Sequence, residues 1–212
     1  MATLLHLNVS PRGDASTSRR AGQLVRAELA ARHGELTVVE RDLAAQPLPP
    51  IDAAFTDANM AVAAGRTDAD PAALALSETL IAELQAADVV LITTPMHNFT
   101  VPASLKTWID LVVRTDRTFA RTPQGKQGLL RDRPVLAVVS CGGRFSDDAA
   151  SQRDFFSPYL TYVLETIGLK QVEILRMEST SRGPDHVARA FDKLQSWCTT
   201  VVQALPAWRS GR

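Results

Sequence analysis

Residues 91–113 read LITTPMHNFTVPASLKTWIDLVV. An apolar run stops at Thr93, Thr94 and Pro95, four residues of mixed character follow (Met96, His97, Asn98, Phe99), and an amphipathic pattern then begins. Val101, Leu105, Trp108, Ile109, Val112 and Val113 form one stripe at helical spacing, with Lys106, Asp110 and Arg114 off it. The run that leads in, DVVLITT at 88–94, is apolar on both faces, as expected for a central parallel strand covered on two sides. Pro95 has no N–H and so keeps the chain from extending the ladder. The main chain beyond it is free to meet something other than a neighbouring strand.

The same alternation runs through the rest of the chain. TLLHLNV (3–9), ELTVVE (35–40), PVLAVVS (134–140) and QVEILRM (171–177) read as four further strands. Helical stripes fall at 18–32, 71–87, 156–167 and 187–202, with Pro71 placed at a helix start, and Gly34 and Gly168 as stops. Residues 42–70 are rich in Pro, Ala and Asp and predict a long excursion with one irregular helix near 52–64; residues 115–133 predict a loop. Five strands alternating with helices predict a three-layer α/β fold with a parallel sheet, formed by residues 1–212 as one domain.

Bulk properties narrow the function. Lys+Arg and Asp+Glu both number 23, so the net charge is zero, which disfavours nucleic acid or an anionic membrane as the main partner. Cys141 and Cys198 stand far apart with no metal-ligand or CxxC spacing and read as reduced thiols, so no metal site is expected. No run is long and apolar enough to span a bilayer, and the expectation is a soluble cytoplasmic protein.

In open parallel sheets, ligands bind beyond the carboxyl ends of the strands. Three loops there carry chemistry: SPRGDASTS (10–18), PMHNF (95–99) and SCGG (140–143). In the first, Ser10, Ser16, Thr17 and Ser18 set hydroxyls around a helix start, Gly13 frees the turn, and Arg12, Arg19 and Arg20 add positive charge. Such a place binds phosphate; the same residues also serve as an ordinary N-cap. No GxGxxG fingerprint or GxxxxGK[ST] loop occurs, which argues against a nucleoside triphosphate. In the second loop, main-chain groups of Met96–Phe99 and the Asn98 amide suit the edge of a flat heteroaromatic ring, although Met96 and Phe99 also serve simply as core cover. In the third, Gly142 and Gly143 let a planar group approach the backbone, or form a plain turn. A phosphate tail with a polar aromatic head describes flavin mononucleotide, a ligand of the switch point in such sheets.

At this point the segments SPRGDASTS, PMHNFTVPASLKTWIDLVVRTDRTF and SCGG resemble those of the FMN-dependent NADH:quinone oxidoreductase and NADH-azoreductase family, essentially end to end. The resemblance implies a flavodoxin-like fold with strand order 2-1-3-4-5, a homodimer, and FMN bound tightly but non-covalently, with NADH or NADPH as electron donor and quinones or azo compounds as acceptors. It implies that Ser10, Ser16, Thr17 and Ser18 meet the phosphate and ribityl chain, Met96, His97, Asn98 and Phe99 the isoalloxazine, and Ser140, Cys141, Gly142 and Gly143 a third flavin-binding segment. His97 stands where the family usually has Tyr, and Cys141 where Arg is common. The chemistry is the cofactor's, so no catalytic side chain is assigned; His97 and Phe119 are possible substrate-pocket residues, each with a packing alternative. Cys141 has a redox reading and a small-residue packing reading. A flavodoxin-like single-electron carrier is the alternative function, disfavoured by the neutral charge and the serine loop. A phosphoryl-accepting domain would need acidic residues where the strands end in NVSP and TTPM, and a hydrolase would need a GxSxG elbow. Trp208 receives no role.

Overall fold

The computed structural model describes residues 1–66, 68–146 and 152–206; Trp208 lies outside the described residues. The elements in chain order are β1 (Ala2–Asn8), α1 (Thr17–His33), β2 (Leu36–Asp42), α2 (Ala53–Ala63), α3 (Pro71–Ala86), β3 (Val89–Pro95), α4 (Ala103–Val112), β4 (Phe119–Thr122), β5 (Gly125–Gly128), β6 (Val135–Ser140), α5 (Ser157–Thr166), β7 (Val172–Met177) and α6 (Pro184–Trp197), followed by a π-helical turn at Cys198–Val202.

Five strands make one parallel sheet in the order β2-β1-β3-β6-β7. That is the expected 2-1-3-4-5 order once β4 and β5 are set aside, because those two pair only with each other. The central strands are buried on both faces, and their alternating side chains divide into two cores. Leu5, Leu7, Val90, Ile92, Ala137 and Val139 pack against Leu80 and Leu84 of α3, Trp108 and Val112 of α4, and Leu160 and Leu164 of α5. Leu4, Val89, Leu91, Leu136 and Val138 pack against Ala21, Val25 and Leu29 of α1 and Leu194 of α6. This two-sided burial is why these strands read as continuous apolar runs.

Helix ends follow their local chemistry. Ser16 caps α1, its Oγ accepting from Arg19 N at 3.2 Å. Gly34 (φ 80°) ends it. Asp70 caps α3 ahead of Pro71.

Two expectations fail. The 115–133 segment contains the β4–β5 hairpin, joined through Pro123 and Gln124. Four-residue strands with little apolar alternation carry no periodic pattern, and the ribbon is held by tertiary contact instead: Leu130 N donates to Ile167 O at 3.0 Å, and a Cβ on Gly128 would lie 2.2 Å from Gly168 N. Arg114, expected on a polar face, is 2% exposed. The helix has ended by then, so its side chain turns inward to Glu78 at 2.7 Å and to Asn59 and Ser77 at 3.2 and 3.0 Å, joining α2, α3 and the end of α4.

Candidate functional site

Strand register brings the three loops together at one sheet edge. Asn8 pairs with Thr93, and Val9 N donates to Thr93 O at 3.0 Å, so the β1–α1 loop starts beside the end of β3. Pro95 pairs with Ser140, and Met96 N donates to Ser140 O at 2.9 Å, so the second and third loops leave the sheet side by side.

At the β1–α1 junction Ser10, Ser16 and Ser18 are buried and Thr17 is half-buried. Ser16 Oγ serves as the N-cap and lies 3.1 Å from Ser18 Oγ; Ser10 Oγ accepts from Arg12 N at 3.4 Å. Hydroxyls and a positive helix end converge there, an arrangement that favours an anion. The three arginines do not act alike. Arg12 is exposed. Arg20 lies 4.8 Å from the Phe191 ring centroid. Arg19 is committed to the protein: it donates to Ser10 O at 3.0 and 2.8 Å and forms an ion pair with Asp42 at 2.6 Å. Its role is to tie the ends of β1 and β2 to the start of α1, so of the three cations read from this loop, Arg19 is a brace. The Asp42 carboxyl is held below its usual range, foremost by the Arg19 hydrogen bond.

The 96–99 loop is a two-residue hairpin turn. His97 and Thr100 exchange backbone bonds of 3.1 and 3.0 Å around Asn98 (φ 45°) and Phe99 (φ 72°). Two successive left-handed residues are the type I′ pattern, which favours Asn-Gly. Asn suits its position; a Phe in the second is strained. The turn also sorts the main-chain groups. Met96 N–H, both groups of His97 and the Phe99 carbonyl, which accepts from Phe155 N at 3.1 Å, are committed within the protein. Among the described residues no acceptor is set against the N–H groups of Asn98 and Phe99. Sequence reasoning pointed to the whole loop; the structure leaves these two and the Asn98 amide as its uncommitted donors among the described residues. His97, Asn98 and Phe99 are exposed, and Met96 is partly buried against the core.

The third loop depends on a fourth that the sequence reading passed over. Residues 178–181, after β7, take up its carbonyls: Thr180 N donates to Cys141 O, Ser181 Oγ to Gly142 O and Ser179 N to Gly143 O, all near 3.0 Å. Ser140 Oγ meets Thr180 Oγ1 at 3.0 Å. The Ser/Thr cluster of EST at a strand's carboxyl end was the available clue. The glycines also have an intramolecular reason, since a Cβ on Gly143 would lie 2.3 Å from Gln152 Oε1 and one on Gly142 3.2 Å from Ser181 Oγ. Cys141 is fully buried; burial first, then Glu178 and Asp154, push its thiol up to about 12. A neutral, enclosed thiol supports packing over redox chemistry. Phe119 is 6% exposed, with Lys126 Nζ 4.9 Å from its ring centroid, so it packs within the β4–β5 ribbon.

A polar cavity of about 440 Å³ opens between α1 and the β1–β2 edge, lined by residues that include His6, Asn8, Arg26 and Glu40. None of its lining comes from 96–99 or 140–143. It adjoins the first of the three loops, whose Asp14 lines it together with Arg19.

A profile of the flavodoxin-like fold matches residues 2–201. A Cupriavidus pinatubonensis protein named FMN-dependent NADH:quinone oxidoreductase 2 is 61% identical over 202 residues, covering 95% of this chain and 98% of its own. A Burkholderia lata protein named FMN-dependent NADH:quinone oxidoreductase 5 is 48% identical over 188 residues, 89% of each chain. In fold, the crystal structure of an azoreductase from Bacillus anthracis superposes with a TM-score of 0.83 at 24% identity, covering 96% of this chain and 99% of that one. The sheet order, the loops gathered at its carboxyl edge and these similarities lead to one conclusion: the chain belongs to the flavodoxin-like fold family, among the FMN-dependent NADH:quinone oxidoreductases.

Proposed function

We propose that this protein is an FMN-dependent oxidoreductase that passes two electrons from NADH or NADPH to quinones, aromatic azo compounds or both. The observation that carries this reading is the 61% identity, across 95% of the chain, to a protein named for that activity. The donor set at the three-loop edge supports FMN in particular. Hydroxyls of Ser10, Ser16, Thr17 and Ser18 at a helix start would hold the phosphate and ribityl chain. The N–H groups of Asn98 and Phe99 and the Asn98 amide would meet the polar edge of the ring, with Met96 and His97 beside it. Ser140, Cys141, Gly142 and Gly143 would form the third wall. The main-chain groups of His97 and Cys141 are bonded within the protein, so the ring's main-chain donors would come from Asn98 and Phe99, and flavin binding would not depend on the Tyr and Arg that the family commonly has at 97 and 141.

FMN, when bound, supplies the hydride and electron transfer between donor and acceptor. The protein's part is to fix the ring's edge, shield one side with the core and leave the other to solvent at the exposed 97–99 turn. Donor and acceptor would use that open side in turn, a ping-pong order. The chain would work as one domain within a homodimer, for which Phe99 and Phe155, 47% and 55% exposed and joined by a backbone bond, supply apolar surface. No helix among the described residues is long and apolar enough to cross a membrane, and we place the protein in the cytoplasm.

The test is direct. The purified protein should be yellow, sediment as two chains, and oxidise NADH faster when a benzoquinone is added. A colourless protein that takes up no added FMN removes the proposal.

A further inference from the structure

The face of the sheet covered by α1 is aliphatic except at its carboxyl end, where His6, Asn8 and Thr93 are 2%, 5% and 0% exposed. Most buried polar groups are bonded, and these form a chain in which His6 Nδ1 is the atom without a partner among the described residues. His6 Nε2 lies 3.0 Å from Thr93 Oγ1, which donates to Asn8 Oδ1 at 2.8 Å; Asn8 Nδ2 donates to Glu40 Oε1 at 2.8 Å, and Glu40 meets Arg26 of α1 at 3.1 Å. Because the Thr93 hydroxyl gives its proton to Asn8, it receives one from His6 Nε2. Burial first, then Arg26 and Arg19, hold His6 down to about 3, so the ring stays neutral and the direction of these bonds does not change with physiological pH.

Gly22 of α1 sits on this chain. It has no left-handed backbone to explain it, and a glycine inside a helix is disfavoured against alanine. What it permits is approach: a Cβ there would lie 2.8 Å from Thr93 Cγ2 and 3.0 Å from His6 Nε2. Ser16 and Ser18 lie less than about two helical turns before it. Thr93 leads directly into Pro95 and Met96. One contact therefore links the hydroxyl-bearing helix start to the strand that carries the 96–99 turn.

We infer that Gly22, seated on Thr93 and His6, is a positioning residue that fixes how deeply the amino end of α1 sits beside the 96–99 turn, and that it thereby sets the preference for a phosphorylated over an unphosphorylated flavin. This rests on the proposed placement of the FMN phosphate at Ser10 and Ser16–Ser18. An alanine at 22 must displace either the helix or Thr93, and the helix carries the phosphate donors.

The experiment compares dissociation constants for FMN and riboflavin, read by quenching of flavin fluorescence, with folding followed by far-UV circular dichroism. Gly22→Ala is expected to weaken FMN about tenfold while riboflavin changes by no more than about twofold. Adding Thr93→Ser removes the methyl that is the nearest atom to the new Cβ and keeps the hydroxyl bonds to His6 and Asn8, while the contact with His6 stays, so the double variant regains part of the FMN preference. A Gly22→Ala protein that keeps the wild-type preference, loses both flavins alike or no longer folds overturns the inference, as does a folded double variant that recovers nothing. A wild-type protein that binds riboflavin as tightly as FMN refutes the phosphate cradle itself, a separate result.

Discussion

The β1–α1 junction and the 97–100 turn stand at the same edge of the sheet, and they are built from different materials. At the junction the groups proposed to meet a ligand are side-chain hydroxyls, buried and already bonded to one another and to the first turn of α1. Arg19 and Asp42 brace that end from behind. In the turn the groups offered are main-chain N–H groups on an exposed loop, held by a reciprocal backbone pair and two left-handed residues. The first end depends on side-chain identity. The second depends on backbone shape, so a change of side chain at 97 or 98 that preserves the turn leaves its donors in place.

That contrast is broken most severely by placing a charge at the junction. Ser16→Asp keeps a good N-cap, so α1 should form as before. The carboxylate then faces the FMN phosphate, and affinity for FMN should fall by about 100-fold or more, with riboflavin much less affected. Equal FMN affinity in the variant, measured by fluorescence titration, would mean that the phosphate lies elsewhere.

The opposite end calls for a backbone change. Phe99→Gly places the residue that a type I′ turn favours at its second central position, and should leave unfolding stability unchanged or raise it by up to about 1 kcal/mol. Phe99→Val, β-branched and ill-suited to positive φ, should lower it by about 1–2 kcal/mol. Chemical denaturation reads both. A glycine variant clearly less stable than the valine variant would show that the ring, and not the turn, holds this end together.

The smallest effect concerns the brace. Asp42→Asn removes the ion pair to Arg19 but keeps an acceptor for Ala44 and Ala45 N–H, and should cost roughly 1 kcal/mol at neutral pH. The native carboxyl is depressed below the unfolded value of 3.8, so its stabilisation is complete above that value and is lost as pH falls through the lower native one. The gap between wild type and variant should therefore close in acid. Melting curves from neutral to strongly acid pH that stay parallel would remove Asp42 from the acid sensitivity of the fold.

Part of this organisation was legible in the residues. DVVLITT and PVLAVVS announced strands covered on both sides because burial on both faces favours apolar residues along the run. The stripe from Val101 to Val113 announced α4, and the hydroxyl-rich, glycine-bearing loops were placed at strand ends, where the register gathers them at one edge. Other features were not legible. The β4–β5 ribbon has strands too short to show a period and is held by Gly128 against Gly168. Arg114 read only as a residue off the apolar stripe and Arg19 as positive charge offered to an anion, because nothing local to either names Glu78 or Asp42 as its partner.

The sequence alone therefore determined the class of fold and pointed to a flavin as cofactor, since these follow from periodicity and from residue types at strand ends, both local properties. Only the tertiary structure decided which donors remain once the protein has bonded to itself. Hydrogen-bond partners in a parallel sheet come from distant parts of the chain, and it takes the folded register to show that Met96 is committed to Ser140, that the N–H groups of Asn98 and Phe99 stay uncommitted among the described residues, and that Gly22 rests on Thr93.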